Sequence, residues 1–148
     1  MSYAPWAIGS DIAGYRLLHD FGQDACGEIF LAADPAGNQV TIRTLFPQLA
    51  ADRSKLMDFY HQAKLGMAVD HPHVQKVLRV EQASGRHFVV SEFWGLHNLK
   101  YQLKDRSRLE EAEAVRLVYQ LAQILEDLHE DRDQPIVHRA VSPANVLI

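Results

Sequence analysis

The stretch His138-Arg-Ala-Val-Ser-Pro-Ala-Asn-Val-Leu-Ile148 decides the fold, once the elements that precede it are placed. A long helix is predicted over about residues 110–130, because apolar side chains recur there at helical spacing. These side chains are Val118, Leu121, Leu125 and Leu128. A short helix is predicted over residues 98–103. The last third of the chain is therefore expected to be helical, followed by a loop.

Three antiparallel strands are predicted in the first third of the chain. Residues 15–18 and 28–33 form a hairpin, since the turn-rich stretch 20–27 separates two apolar runs. A second turn, at residues 34–38, leads to the β-branched run 39–45. Together these segments are the beginning of an antiparallel sheet.

A helix and two more strands complete the predicted sheet. Apolar positions between Asp52 and Val69 recur every three or four residues, and Asp52 is placed to cap the first turn. Residues 74–80 and 87–94 are strand candidates joined by the turn 83–86. The predicted fold class is α+β, with a five-stranded antiparallel sheet and one helix, followed by two further helices.

The composition places limits on function. The chain has 148 residues, a formal net charge of -4 and one cysteine, Cys26. Such a charge provides no basic field for nucleic acid or an anionic membrane, and one cysteine cannot form an internal disulfide. The eight histidines lack metal-binding spacing. We see neither a secretory signal nor a membrane-spanning segment, so we expect a cytoplasmic protein.

The order of elements and the closing motif resemble the protein kinase family, in particular the eukaryotic-like serine/threonine kinases of bacteria. The resemblance implies that residues 1–148 are a single partial kinase-like domain. Residues from about 12 to 94 would be the N-lobe, with its sheet and helix. Residues from about 95 to 148 would hold the hinge, two helices of a truncated helical C-lobe and a remnant of the catalytic loop.

The glycine loop of this family is altered. The family pattern Gly-x-Gly-x-x-Gly-x-Val reads Gly22-Gln-Asp-Ala-Cys-Gly27-Glu-Ile29, with Asp24 at the middle glycine. The resemblance makes Gly22, Asp24, Gly27 and Ile29 weak or vestigial nucleotide-binding residues. A carboxylate here would repel phosphates. The alternative interpretation is an ordinary hairpin turn.

The family's lysine and glutamate pair is replaced on both sides. The strand motif Val-Ala-x-Lys reads Val40-Thr-Ile-Arg43, so Arg43 stands at the lysine position and Thr41 at the alanine that packs on adenine. Arginine is not a conservative replacement for a phosphate-bridging lysine. Alignment of the helix puts Gln62 where the paired glutamate would be. The alternative is that Arg43 and Gln62 are polar residues of a solvated groove.

The catalytic loop lacks its proton acceptor. The family's His-Arg-Asp-Leu-Lys-Pro-x-Asn becomes His138-Arg-Ala-Val-Ser-Pro-Ala-Asn145, with Ala140 at the aspartate and Ser142 at the lysine. Loss of a general base costs a factor of about 10²–10⁴. Asn145 remains as a magnesium ligand candidate. The resemblance thus implies no intact catalytic residue and, at most, weak binding of ATP and Mg²⁺.

The remaining candidate residues lie at the hinge and beneath the base. Glu92 and Trp94 match the hinge whose backbone receives adenine in the family, and Leu147 matches the apolar floor of that pocket. Both stretches are equally explained by core packing, since apolar residues usually serve the core.

The four replaced positions Arg43, Gln62, Ala140 and Ser142 favour a pseudokinase that acts in signalling by binding a protein partner, either a kinase or an effector. The alternative is a fragment of a divergent, active, ATP-dependent serine/threonine kinase. A third hypothesis is a truncated product without independent function. It leaves an apolar helix face exposed, and that face is expected to drive self-association.

Overall fold

The computed structural model describes residues 4–130 and 133–148. The chain divides into two compact units, with the division between Phe93 and Trp94. The first unit contains the sheet and two helices, and the second is largely helical. This is the α+β class that the sequence predicts.

Over the residues that the structure describes, the sheet has six strands and not the predicted five. They are β1 (Asp11–Ile12), β2 (Tyr15–Gln23), β3 (Glu28–Ala33), β4 (Gln39–Thr44), β5 (Val77–Ala83) and β6 (Arg86–Glu92). Their order is β1-β2-β3-β4-β6-β5, and each neighbouring pair is antiparallel.

The additional strand β1 was missed because it is only two residues long. It pairs with β2 through a tight turn in which Ala13 and Gly14 both have positive φ, at 55° and 90°. The Gly14 N–H donates to the Asp11 carboxylate over 2.9 Å, which stabilises this turn. A pairing of this length leaves no alternating pattern to detect.

Strand β2 is longer than predicted and shortens the glycine loop. Pairing with β3 continues to Gln23 opposite Glu28, across register shifts after Leu17 and Asp20. Such irregularities interrupt the alternation of buried and exposed residues, so the strand predicted from that alternation is too short. Strand β5 also starts later than predicted, at Val77.

The core of the first unit lies on one face of the sheet. Alternate residues of β4, namely Val40, Ile42 and Thr44, are at most 3% exposed, as the two-residue period of a strand requires. They belong to a buried set that also contains Ile12, Tyr15, Leu17, Phe30, Ala32, Phe88 and Val90. Trp6 packs against Phe30 and Phe88 at this core. Thr41 and Arg43 consequently face the other side of the sheet.

Two helices follow β4. The short helix α1 (Pro47–Ala50) was not predicted, because four residues are too few for a periodic pattern. Helix α2 (Arg53–Ala68) was predicted correctly, and its Asp52 cap is confirmed. The Asp52 carboxylate accepts hydrogen bonds from the N–H groups of Ser54 and Lys55, over 2.9 and 3.3 Å.

The second unit contains α3 (Leu99–Arg106), α4 (Glu111–Glu130) and a 3₁₀ turn (Pro143–Asn145). Asn98 caps α3 by accepting from the Tyr101 N–H over 2.8 Å. Of the apolar stripe predicted on α4, Leu128 is 2% exposed and Val118 is 64% exposed. No helix among the described residues is long and apolar enough to span a bilayer.

Candidate functional site

The candidate site residues fall in both units, and each unit is described separately. In the first unit, Asp24 closes the turn between β2 and β3. Its Oδ1 accepts hydrogen bonds from the N–H groups of Cys26 and Gly27, over 2.8 and 3.0 Å. The Asp24 N–H donates to the Gly27 carbonyl over 2.9 Å. The altered loop is therefore a closed turn built around the aspartate side chain.

The second oxygen of Asp24 faces Arg43. Asp24 Oδ2 lies 3.4 Å from a terminal guanidinium nitrogen of Arg43, and the two side chains are 37% and 50% exposed. Gln62 is exposed on α2 and makes no hydrogen bond to Arg43 among the described residues. The partner of Arg43 is thus the loop carboxylate and not the helix residue that sequence alignment placed there.

The two outer glycines of the loop have different structural roles. Gly22 has φ of 90°, and a Cβ placed on it would meet no atom within 4 Å. A Cβ on Gly27 would lie 1.7 Å from the backbone carbonyl oxygen of Thr44. Gly22 is therefore required by its backbone conformation, and Gly27 by the close approach of β4.

Ile29 and Thr41 lie on the neighbouring strands. Ile29 is paired with Arg43, and Thr41 is paired with Leu31 on one side and Ser91 on the other. Both Ile29 and Thr41 are partly exposed. The sheet thus brings together four of the predicted residues of the first unit: Asp24, Gly27, Ile29 and Arg43.

The main chain of Glu92 is engaged by the segment before β5. Its N–H donates to the Lys76 carbonyl over 3.0 Å, and its carbonyl accepts from the Gln75 side chain. The Glu92 carboxylate also accepts from the Lys76 N–H over 3.3 Å. Sequence reasoning missed Gln75 and Lys76, since neither belongs to a motif. Trp94, at the start of the second unit, is 42% exposed.

In the second unit, the loop around Ala140 is held by local hydrogen bonds. The Asn145 side-chain amide donates to the Ala140 carbonyl over 2.7 Å, and the Asn145 N–H donates to the Ser142 carbonyl over 2.9 Å. The Ala140 N–H donates to His138 Nδ1 over 3.2 Å. Arg139 has φ of 66°, a conformation that a non-glycine side chain rarely adopts.

This loop therefore keeps a defined conformation although position 140 ends in a methyl group. The side-chain N–H of Asn145 is used within the loop, and its side-chain carbonyl oxygen is the atom that the predicted Mg²⁺ ligation would require. Leu147 forms an isolated antiparallel bridge with Asn98, next to buried Val146. Among residues 4–130 and 133–148, no group of three or more His, Cys, Asp or Glu is arranged to hold a metal ion.

A buried ion pair beside the glycine loop was not predicted. Arg86 is 5% exposed and bonds to the Glu28 carboxylate, while its guanidinium also donates to Thr44 Oγ1 over 3.2 Å. The Trp6 ring stacks on the guanidinium at 4.4 Å. Burial lowers the pKa of Arg86 to about 10. Burial, with a smaller contribution from the charge of Asp20, raises the pKa of Glu28.

No pattern in the sequence predicts this network, because Arg86 falls in the predicted turn 83–86 and Glu28 at the start of a predicted strand. The network joins the starts of β3 and β6 to the end of β4. It thus fixes the strand ends next to Gly27 and the Asp24 turn.

Comparisons with known proteins agree with this geometry. Residues 15–148 match the family described as protein tyrosine and serine/threonine kinase. Serine/threonine-protein kinase PknF of Mycobacterium tuberculosis is 28% identical over 147 residues, which cover 97% of this chain and 30% of PknF. Serine/threonine-protein kinase pkn2 of Myxococcus xanthus is 30% identical over 135 residues, which cover 90% of this chain and 16% of pkn2.

A solved structure, the PknI kinase domain of M. tuberculosis, superimposes with a TM-score of 0.80 at 25% identity. The superposition covers 95% of this chain and 56% of the PknI chain. The chain spans less than a third of PknF and less than a fifth of pkn2. Because the family match runs from β2 to the last residue, the chain belongs to the protein tyrosine and serine/threonine kinase family, and it covers only part of the kinase domain.

Proposed function

We propose that this chain is a pseudokinase domain, which has lost phosphoryl transfer and acts by binding a protein partner in the cytoplasm. The observation that carries the proposal is Ala140, whose methyl group stands where the family has its proton acceptor. The surrounding loop is well ordered by Asn145 and His138, so the change is local to that side chain. A methyl group can neither accept a proton nor orient a substrate hydroxyl.

The first unit supports the same conclusion independently. Arg43 pairs with Asp24, and Gln62 supplies no charge to hold a catalytic arrangement. Ser142 replaces the cationic residue of the catalytic loop. Activity would require each of these losses to be compensated elsewhere.

Binding is the remaining role for such a domain, and the proposed partner is a protein kinase or an effector protein. The candidate surface is the exposed part of α2 around Gln62. This helix is well formed, since its cap is in place and Ala63 anchors it to the first unit. ATP and Mg²⁺ are, in this proposal, weak ligands at most.

The alternative function is that of a fragment of a divergent, active serine/threonine kinase. It is favoured by Asn145, which retains a ligand oxygen for magnesium, and by the preserved conformation of the loop. Residues outside this sequence would then have to supply the proton acceptor.

The deciding experiment measures transfer of radiolabelled γ-phosphate to a generic protein substrate by the longest natural polypeptide that contains this sequence. The matched variants are Arg43→Gln, which removes the positive charge at the family's lysine position, and Ala140→Asp, which restores a proton acceptor at the family's aspartate position. The proposal predicts no transfer above the level of Arg43→Gln. Transfer that disappears in Arg43→Gln would establish the kinase alternative.

A further inference from the structure

The charges of Asp24 and Arg43 are arranged differently from those of an anion-binding loop. Asp24 is held by two backbone N–H groups through Oδ1, which leaves Oδ2 fixed toward Arg43 at 3.4 Å. In a phosphate-binding loop, such N–H groups point at the ligand. Here they are occupied by a carboxylate of the chain itself.

We propose that Asp24 is a specificity-determining residue, which competes with phosphate anions for Arg43 and excludes polyphosphate ligands from this face of the sheet. The proposal deepens the pseudokinase function, because it rests on the loop and Arg43 being the vestige of a nucleotide site. It assigns the disfavoured ligand class as well: polyphosphates, including a nucleoside triphosphate.

The turn makes this competition effective. A freely rotating side chain loses conformational entropy when it forms an ion pair. The Asp24 side chain is already ordered, because its Oδ1 accepts hydrogen bonds from the Cys26 and Gly27 N–H groups. The carboxylate is therefore held near Arg43 before a ligand arrives, so a phosphate must compete with it for the guanidinium. Any phosphate that reaches the guanidinium meets a fixed negative charge a few ångströms away.

The ion pair between Asp24 and Arg43 is also exposed enough for an anion in solution to reach the Arg43 guanidinium. The Asp24 and Arg43 side chains are 37% and 50% exposed, so water screens their attraction and the pair is not a locked buried bridge. An incoming polyphosphate can displace the carboxylate if its own attraction is stronger. Removing the Asp24 charge should then raise polyphosphate affinity on the order of tenfold.

The test is titration calorimetry of the longest natural polypeptide that contains this sequence, at fixed ionic strength, with inorganic tripolyphosphate, ATP and adenosine as probes. The informative variant is Asp24→Asn, whose side-chain oxygen can still accept the two N–H bonds. Asp24→Gly is the second variant, in case the amide disturbs the turn. Asp20→Asn is the matched control, since Asp20 accepts from the Gly22 N–H over 2.7 Å in the same loop and makes no ion pair with Arg43.

The proposal predicts that Asp24→Asn and Asp24→Gly bind tripolyphosphate and ATP about tenfold more tightly than the unmodified chain, with adenosine binding unchanged. The gain must vanish when Arg43→Gln is added. Three results would overturn the proposal: no gain, an equal gain in Asp20→Asn, or a gain that survives the loss of Arg43. These three results are binding measurements and do not depend on catalysis. Failure of this proposal can therefore be distinguished from failure of the proposed function, which the phosphoryl-transfer assay tests.

Discussion

Replacement of Gly27 by alanine should destabilise the first unit far more than the same change at Gly22. An ideal Cβ on Gly27 would lie 1.7 Å from the Thr44 carbonyl oxygen and 2.5 Å from its carbonyl carbon. Both are backbone atoms in the sheet, so no side-chain rotation relieves the overlap. The strands must separate by about 1.3 Å to reach the 3.0 Å below which Cβ contacts are essentially never seen.

This separation disrupts specific interactions. Thr44 Oγ1 accepts from the Glu28 N–H over 2.9 Å, and the Glu28 carboxylate accepts from Arg86 on β6, so both bonds connect the start of β3 to strands beyond the gap that would open. Overpacking of this kind costs about 1–3 kcal/mol, and each lost hydrogen bond adds about 1 kcal/mol. We therefore expect Gly27→Ala to lower the free energy of unfolding by about 3–5 kcal/mol.

Urea denaturation followed by circular dichroism measures the effect, with Gly22→Ala as the matched control. Gly22 has φ of 90° but open space around it, so its substitution should cost only about 1–2 kcal/mol of backbone strain. If Gly27→Ala lies within about 1 kcal/mol of the unmodified chain, or costs less than Gly22→Ala, the assignment of Gly27 to strand packing is wrong.

Two further predictions concern charged groups. Arg86→Ala should lower the free energy of unfolding by about 3 kcal/mol, because it leaves the Glu28 carboxylate buried without its cationic partner. Glu28→Gln should lower the free energy of unfolding less in the Arg86→Ala background than in the unmodified chain. If urea denaturation shows that the two costs add, the pairing is contradicted. Hydrogen bonds to the Asp34 carboxylate lower its pKa, and the largest contribution comes from the backbone N–H of Asn38. The ionised Asp34 therefore stabilises the folded state above the ordinary pKa of an aspartate. This stabilisation is lost as the pH falls through the lowered pKa of the folded state. Thermal midpoints between about pH 6 and pH 2 should therefore fall more steeply for the unmodified chain than for Asp34→Asn, and parallel curves would refute this.

Most of the fold was predictable because its signals are local. The cap at Asp52, the turn at residues 34–38 and the period of α2 are each carried by residues that are close to one another in the sequence, and the structure confirms each of them. Strand β1 and the extension of β2 to Gln23 were not predictable, since they depend on pairing across register shifts. Propensity and periodicity carry little information on such pairing.

The candidate site also has features that were predictable from local sequence and features that were not. The motif positions of Asp24, Arg43 and Ala140 could be placed from the sequence. Their partners could not, because the contact of Asp24 with Arg43 spans 19 positions and requires the strand register to be known. The buried pair of Arg86 and Glu28 spans 58 positions and belongs to no motif. The motif positions thus indicated which side chains are replaced relative to the family, whereas the structure identified the contacts that the replacing side chains make.

The central claim is that the chain lacks a proton acceptor in an otherwise ordered catalytic loop. Its most direct test is the rate of phosphate release or transfer from Mg²⁺-ATP, compared between the longest natural polypeptide and its Arg43→Gln variant. We predict equal rates, both at the level of the buffer alone. A rate above that level which Arg43→Gln abolishes would contradict the claim.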